Sequence, residues 1–145
     1  LMSVELGSSS TFWASLYIGG LVGYMSNNTT IASCTFKNVE ITNSISLSIG
    51  HTVTFGGLVG YAGGSNSKMT RESGVTTSSV QNVTFVKSSG ISILGTEYYG
   101  GCIGYADNKA SFSNLSNKWY SSVKRKYYSL FQWREETITK AIGNG

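Results

Sequence analysis

The sequence lacks the features of several common protein classes. It contains no proline, one histidine and two cysteines, and only 12% of its 145 residues are charged. Low charge beside 40% apolar residues excludes an intrinsically disordered segment, and two cysteines do not make a disulfide scaffold. Ala, Glu, Lys and Leu are too scarce for a domain built mainly of helices. No apolar run reaches the ~20 residues of a membrane-spanning helix.

Glycine, serine, threonine and asparagine are abundant instead, which is typical of many short strands joined by polar turns. The net charge of +4 is confined to residues 118–145, which hold six basic and two acidic residues. Residues 1–117 hold five of each sign. Because that larger part is neutral, no nucleic-acid groove is expected along it.

A six-residue motif, Gly-Gly-x-x-Gly-Tyr, occurs three times, and its copies begin 37 and 44 residues apart. Self-similarity with a period of about 20–50 residues indicates a repeat architecture. The repeated residues are Gly19, Gly20, Gly23, Tyr24, Gly56, Gly57, Gly60, Tyr61, Gly100, Gly101, Gly104 and Tyr105.

A second motif, apolar-x-Asn-apolar, is centred on Asn38, Asn82 and Asn114. From Asn38 and from Asn82 the next Gly-Gly pair begins 18 residues later in both cases. The distance from the preceding motif tyrosine to the Asn varies, at 14, 21 and 9 residues. This pattern is typical of stacked coils, because each wall needs a constant number of residues while the excursion between strands can vary in length.

The apolar pattern predicts a strand in each part of the repeat. Strict alternation over 44–49, with Ile45, Leu47 and Ile49 on one side, is typical of a strand buried on one face. Residues 118–145 depart from the repeat and fit either a helix stripe or a strand, of which we favour the strand. The other expected strands cover 2–6, 12–18, 19–24, 31–42, 52–55, 79–87 and 91–94, and loops are expected at 7–10, 25–30, 62–75 and 106–110.

A unit of this size cannot bury its own apolar face, so like strands should stack on like, ~4.8 Å apart. The predicted fold is an all-β, right-handed parallel β-helix (β-solenoid) of about three to four coils with variable loop excursions. Val39, Val83 and Leu115 should form one buried ladder. Cys34 and Cys102 are expected to be buried thiols, with a disulfide bridge between them as the alternative. The expected repeats are 1–18 (partial), 19–55, 56–99 and 100–145 (atypical), in a segment of a longer repeat protein.

The Gly-Gly-x-x-Gly-Tyr copies resemble the GLUG-type repeats of secreted, adhesin-like proteins of bacteria and protists. More loosely, the serine-rich alternating strands resemble polymorphic-outer-membrane-protein-like β-helices. The resemblance covers about residues 1–117, and the third copy departs from it with Cys102 in place of Leu. It implies an extracellular β-solenoid with a surface, adhesive or structural role, and it brings no catalytic residues.

Four Asn-x-Ser/Thr acceptor sites for N-glycosylation are present, at Asn27, Asn28, Asn82 and Asn114. Asn27 and Asn28 lie in a predicted loop and are the preferred candidates. For the Asn motif two interpretations compete: an internal ladder of side-chain amides, or side chains that point outward.

Other chemistry is weakly indicated, and no catalytic residue, metal ligand or cofactor is expected. The acidic residues do not recur at one repeat position, as a glycosidase pair would require, and His51 fits a turn. A carbohydrate-active β-helix enzyme that uses Glu40 and Glu97 remains an alternative. A glycan-binding strip of the three motif tyrosines is another, and the basic run 124–126 fits a solvated edge or an acidic ligand.

The expected function is therefore a structural or adhesive segment of an extracellular, glycosylated fibre or cell-surface protein. Its expected partners are neighbouring repeats or copies of itself that cover both open ends, and glycans are an alternative partner. No nucleic acid and no membrane span in this segment are expected.

Overall fold

A computed structural model describes residues 1–7 and 11–145, which form an all-β fold. Within these two ranges thirteen strands and one short 3₁₀ helix follow each other. The strands are β1 Met2–Gly7, β2 Leu16–Gly19, β3 Val22–Met25, β4 Thr30–Ala32, β5 Phe36–Ser44, β6 Thr52–Gly56, β7 Val59–Ala62, β8 Lys68–Thr70, β9 Val80–Lys87, β10 Thr96–Gly100, β11 Ile103–Ala106, β12 Tyr120–Ser129 and β13 Gln132–Thr137, and the 3₁₀ helix is Lys109–Phe112.

Strands from equivalent places in successive repeats pair in parallel. One wall is β1-β5-β9-β12, a second is β2-β6-β10, a third is β3-β7-β11, and β4 pairs with β8. The walls stack as a β-solenoid of about three turns, which confirms the expected fold class.

The register between coils matches the repeats read from the sequence. Val39 pairs with Val83, and Tyr61 pairs with Tyr24 on one side and with Tyr105 on the other. The apolar side chains of the walls therefore form continuous buried ladders, in which Phe55, Phe85 and Leu58 are almost completely enclosed.

The glycine motif differs from the expected single strand at 19–24, because it bends the chain from the second wall to the third. In the first coil β2 ends at Gly19 and β3 begins at Val22. A Cβ atom on Gly19 would overlap the carbonyl oxygen of Val22, and one on Gly20 would overlap the carbonyl oxygen of Gly57 in the next coil. A corner this tight, stacked on another corner, leaves no room for a side chain.

The third Asn motif was assigned wrongly, and so was the ladder through Leu115. Val83 pairs with Val123, so the residue that continues Asn38 and Asn82 is Ser122. All three adopt a left-handed backbone, with φ of 58°, 51° and 54°. Asn is enriched in that conformation, which explains its recurrence, whereas Asn114 lies in the excursion after the 3₁₀ helix.

Several expected boundaries also shift. The alternating segment 44–49 is not a strand: β5 ends at Ser44, Leu47 makes isolated bridges to both neighbouring coils, and Ile49 is 77% exposed. The strand expected at 12–18 begins only at Leu16, and the strand expected at 31–42 is two strands, β4 and β5. The expected loop 62–75 contains β8, and the expected loop at 7–10 lies largely outside the described residues.

Residues 118–145 contain strands, as favoured from the sequence, but they form an antiparallel hairpin rather than another solenoid coil. β12 continues the first wall and β13 folds back on it. The chain then returns to the glycine corner, where Ile142 bridges Ile103 in parallel. Residues 141–144 therefore act as a shortened fourth copy of the motif, with Asn144 in the place of the tyrosine.

Candidate functional site

The two ends of the solenoid differ. At the first coil, β1 to β4 each have a paired neighbour on one side only. Their apolar residues are exposed where the equivalents one coil further are buried: Met2 is 57% exposed against 3% for Val39, and Leu21 is 44% exposed against 1% for Leu58. We call this surface the open end. A groove of about 270 Å³ lies at this surface, and the residues that line it are Val4, Leu6, Leu16, Tyr17, Ile18, Gly19, Gly23 and Ile41.

At the last coil the chain covers much of its own edge. β13 pairs antiparallel with β12 from Lys124 to Ser129. Over the third wall, the Asn144 side chain accepts a hydrogen bond from the Ala106 N–H at 2.9 Å and donates one to the Ala106 carbonyl at 3.0 Å. This amide replaces the backbone of a further strand, which differs from the expectation that neighbours cover both ends.

The motif tyrosines stack along the solenoid axis. The ring centroids of Tyr24 and Tyr61 lie 5.4 Å apart at an interplanar angle of 9°, and those of Tyr61 and Tyr105 lie 5.2 Å apart at 11°. The predicted ladder is thus present, but the rings turn their faces to one another. A sugar ring stacks on an exposed aromatic face, and the inner rings of this ladder present mainly their edges.

The ladder carries one acidic residue. The Tyr61 hydroxyl donates a hydrogen bond to Asp107 Oδ1 at 2.5 Å. Burial, and then the hydrogen bond to this carboxylate, raise the pKa of Tyr61 well above its usual value. The Tyr61–Asp107 pair therefore links β7 to the residue after β11, and it ties two coils together on the lateral face.

The four candidate glycosylation sites occupy different environments. Asn27 and Asn28 lie in the exposed turn between β3 and β4. Asn27 Oδ1 accepts a hydrogen bond from the Ser65 N–H at 2.7 Å, while Asn28 adopts a left-handed backbone at the turn. Asn82 Nδ2 and Asn114 Nδ2 are both occupied as donors, the first to Asn38 Oδ1 at 3.0 Å and the second to the Met69 carbonyl at 2.6 Å.

Both interpretations of the Asn motif thus hold in part. Asn38 and Asn82 bond to each other as a ladder would require, but both side chains are exposed on the outside of the first wall. Asn114 does not belong to this ladder. Its side chain instead fastens the excursion before β12 to β8 of the preceding coil.

The residues weighed for catalysis do not form one cluster. Glu40 lies on β5 in the first wall and Glu97 lies on β10 in the second wall, where Lys87 Nζ pairs with it at 3.6 Å. His51 follows Gly50, whose φ of 84° marks the turn before β6. Among the described residues, no group of three or more His, Cys, Asp and Glu side chains could hold a metal ion.

The two cysteines are free thiols. Cys102 replaces the motif leucine and is fully buried, and burial raises the pKa of its thiol to about 12. Cys34 is half-buried beside a cleft of about 260 Å³. Arg71 also lines that cleft and donates hydrogen bonds to the carbonyls of Thr77 and Val75, and its guanidinium lies 5.0 Å from the centre of the Trp119 ring.

The hairpin turn between β12 and β13 is a feature that the sequence reasoning missed. Its two residues, Leu130 and Phe131, have φ of 53° and 67° and are 76% and 94% exposed. A left-handed backbone costs a non-glycine residue about 1–2 kcal/mol, and two-residue hairpin turns favour Asn-Gly instead. The only sequence signal was an adjacent apolar pair within an otherwise alternating segment.

The basic run on β12 is largely neutralised across the hairpin. Lys124 pairs with Glu135 and Arg125 with Glu136, both at 3.5 Å. The Arg125 guanidinium also lies over the rings of Tyr99 and Tyr127. Two of the three charges of the run are therefore held in ion pairs along this edge.

The stacked glycine corners and parallel walls define the chain as a β-solenoid repeat protein. In the comparison with protein families, the GLUG motif matches residues 14–42, one fifth of the chain. The match includes β2, the first glycine corner and most of β5, so the chain carries a GLUG motif, as the resemblance implied. No curated protein and no solved structure matches the chain. In the part of the chain that the structure describes, no helix is long and apolar enough to cross a membrane.

Proposed function

We propose that this chain is a structural and adhesive segment of an extracellular fibre or cell-surface protein, in which a further coil of the same kind stacks on the open end. That coil comes from a neighbouring repeat or from another copy of the chain. The observation that carries the proposal is the difference between the ends: apolar residues and parallel strand edges at the first coil, and a self-made cover at the last.

The energetics of the open end favour such a partner. Unpaired strand edges template pairing with another chain, and solenoids need terminal repeats with a polar outer face. Met2, Val4 and Leu21 instead expose apolar surface at positions that are buried in the next coil. Burying such side chains contributes about 1.5–3 kcal/mol each, so a coil placed there gains both backbone pairing and apolar contact.

The extracellular and adhesive parts of the proposal rest on the GLUG motif and on the lateral surface. Outside the walls the chain presents many serine, threonine and asparagine side chains, and an acceptor sequence lies in an exposed turn. The acids weighed for an enzyme lie on different walls. A non-catalytic, carbohydrate-bearing repeat segment accounts for these observations together.

Association through the open end can be measured with the purified chain. Because the last coil is covered, two copies should meet open end to open end and form a dimer. Sedimentation velocity over a wide concentration range should show this dimer for the wild-type chain. The double variant Val4→Lys/Leu21→Lys should be monomeric, because edge lysines oppose strand pairing.

Leu94→Lys is the matched control for the assembly experiment. Leu94 is 63% exposed and lies between β9 and β10, away from the open end. This variant should dimerise as the wild type does. A wild-type chain that stays monomeric at every concentration, or a Val4→Lys/Leu21→Lys variant that still dimerises, would contradict the proposed assembly.

Among the four acceptor sites, we propose Asn28 as the one that carries sugar. It lies at the tip of an exposed turn. Asn27 beside it is held against Ser65 of the next coil, and the amide nitrogens of Asn82 and Asn114 are already donors. A glycan at Asn28 projects away from the walls and leaves the ladders undisturbed.

Two threonine variants separate the overlapping acceptor sequences when the chain is secreted from eukaryotic cells. Thr30→Ala destroys the Asn28 acceptor and keeps that of Asn27, whereas Thr29→Ala does the reverse. Intact mass before and after glycan removal should show loss of sugar only with Thr30→Ala. Sugar that maps to Asn82 or Asn114, or that disappears with Thr29→Ala, would rule out this assignment.

A further inference from the structure

The β12–β13 hairpin carries its side chains in an ordered series from its tip inward. Leu130 and Phe131 form the tip and are almost fully exposed. Tyr128 and Trp133 follow as a paired layer, 46% and 47% exposed, with their rings 5.7 Å apart in an edge contact.

The next layer, which we call the basic layer, holds Arg134 opposite Tyr127 and Lys126 opposite Glu135. The Lys126 ammonium lies 5.5 Å from the centre of the Trp133 ring, and Arg134 donates from Nε to the Ser129 carbonyl at 3.2 Å. Neither has an ion-pair partner among the described residues, unlike Lys124 and Arg125 further from the tip. The Glu135 carboxylate opposite Lys126 pairs with Lys124 instead, so the two unpaired cations of the hairpin lie nearer its apolar tip than its ion pairs do.

We propose that this hairpin tip docks on a lipid bilayer surface that carries anionic headgroups. A strand rises about 3.3 Å per residue, which places the Tyr128–Trp133 layer ~7 Å from the tip and the Lys126 and Arg134 layer ~10–13 Å from it. Interfacial segments insert about 5–10 Å into the boundary between headgroups and acyl chains. The tip thus reaches hydrocarbon, the aromatic layer lies at headgroup level, and the basic layer meets the phosphates.

The backbone of the turn supports a role for the two apolar residues beyond folding. Leu130 and Phe131 both hold a left-handed conformation that Asn-Gly would adopt more easily. They make no contribution to the buried core that would compensate for it. When residues in a strained backbone conformation lie at an exposed tip, the strain indicates a binding function. A bilayer can bind such residues without a shaped pocket.

Vesicle flotation with the complete chain tests this inference. The wild type should float with phosphatidylcholine vesicles that contain phosphatidylglycerol, bind pure phosphatidylcholine more weakly, and dissociate as salt is raised. Tryptophan emission should shift to shorter wavelength on binding. Trp133→Phe should remove that shift without abolishing flotation.

The deciding variant is Leu130→Asn/Phe131→Gly. It should reduce the bound fraction roughly tenfold or more, because it removes both inserted side chains. Its melting temperature should stay the same or rise, because Asn-Gly suits the turn. A double variant of two exposed apolar residues elsewhere, Ile49→Asn/Leu94→Asn, is the matched control and should bind as the wild type does.

Three results would overturn the proposal. One is a wild-type chain that floats with neither vesicle. Another is equal binding by the Leu130→Asn/Phe131→Gly variant. The third is equal binding to neutral and anionic vesicles at every salt concentration, which would leave Lys126 and Arg134 without a role.

Discussion

Gly60→Ala should destabilise the protein by about 3 kcal/mol or more. Gly60 is the third glycine of the second motif. It lies on β7 and packs closely against β2 of the preceding coil. A Cβ atom there would lie 2.7 Å from the Ile18 nitrogen and 2.8 Å from the Gly23 carbonyl oxygen. Both are backbone atoms of paired strands, so neither can yield without loss of ladder hydrogen bonds. Denaturant titration followed by circular dichroism gives the change in the free energy of unfolding.

Gly23→Ala is the control for that substitution, because Gly23 holds the same motif position one coil earlier. Among the described residues, the only atom near a Cβ at Gly23 is the Tyr17 carbonyl oxygen, at 3.3 Å. No coil on that side presses on it in the part of the chain that the structure describes, and the loss should stay below about 1 kcal/mol. Equal losses at Gly23 and Gly60 would show that the glycines are needed for chain conformation, and would refute the steric explanation.

Phe85→Ala should cost about 3–5 kcal/mol of stability. The Phe85 ring is 1% exposed, and its centroid lies 5.4 Å from that of Phe55 and 6.3 Å from that of Tyr99. It joins the first wall to the second, where the surrounding strands are paired on both sides. The cavity that the substitution leaves cannot collapse easily. Each lost aromatic pair removes about 0.5–1.5 kcal/mol of stabilisation in addition to the contribution of the buried area. Thermal and denaturant unfolding both measure the loss.

Phe131→Ala is the same substitution at a residue that is 94% exposed. Because Phe131 makes no core contact, its loss should change the free energy of unfolding by less than about 0.5 kcal/mol. A large loss at Phe131, or a small one at Phe85, would contradict the assignment of the core to the space between the walls.

The register of the walls was predictable because it depends on short-range counts. An interval of 18 residues between the Asn motif and the next glycine pair recurs. It spans β5 to β6 in one coil and β9 to β10 in the next, so β5 pairs with β9 and β6 pairs with β10 in the same register. Val39 therefore meets Val83 as expected. The expected motif tyrosine ladder is also confirmed, since residues at equal positions in stacked coils must lie one strand spacing apart.

The third coil shows where that reasoning stops. Asn114 has the motif's form but lies in the excursion, while Ser122 takes the left-handed position in the wall. A serine in that place carries no recognisable pattern. The residue 18 positions after Asn114 is Gln132, which begins no Gly-Gly pair. Because the interval must be counted from the wall and not from the excursion, the shortened glycine corner at 141–144 was missed as well.

The two ends and the hairpin could not be derived from the repeat at all. Nothing in the local pattern shows that β13 would turn antiparallel and cover β12, or that the Asn144 amide would bond Ala106 in place of a strand. The sequence favoured a strand within residues 118–145, but it did not indicate that Leu130 and Phe131 would form a turn between two strands.

By itself the sequence determined the class of fold, the spacing of the walls and the residues that recur in them, because period and apolar alternation follow from the geometry of a single strand. Tertiary structure alone decided which face of each coil is covered and which stays open. It also decided where the glycines bend the chain and how the last coil ends. Those outcomes depend on atoms of neighbouring coils that come within contact distance only after the chain has wound upon itself.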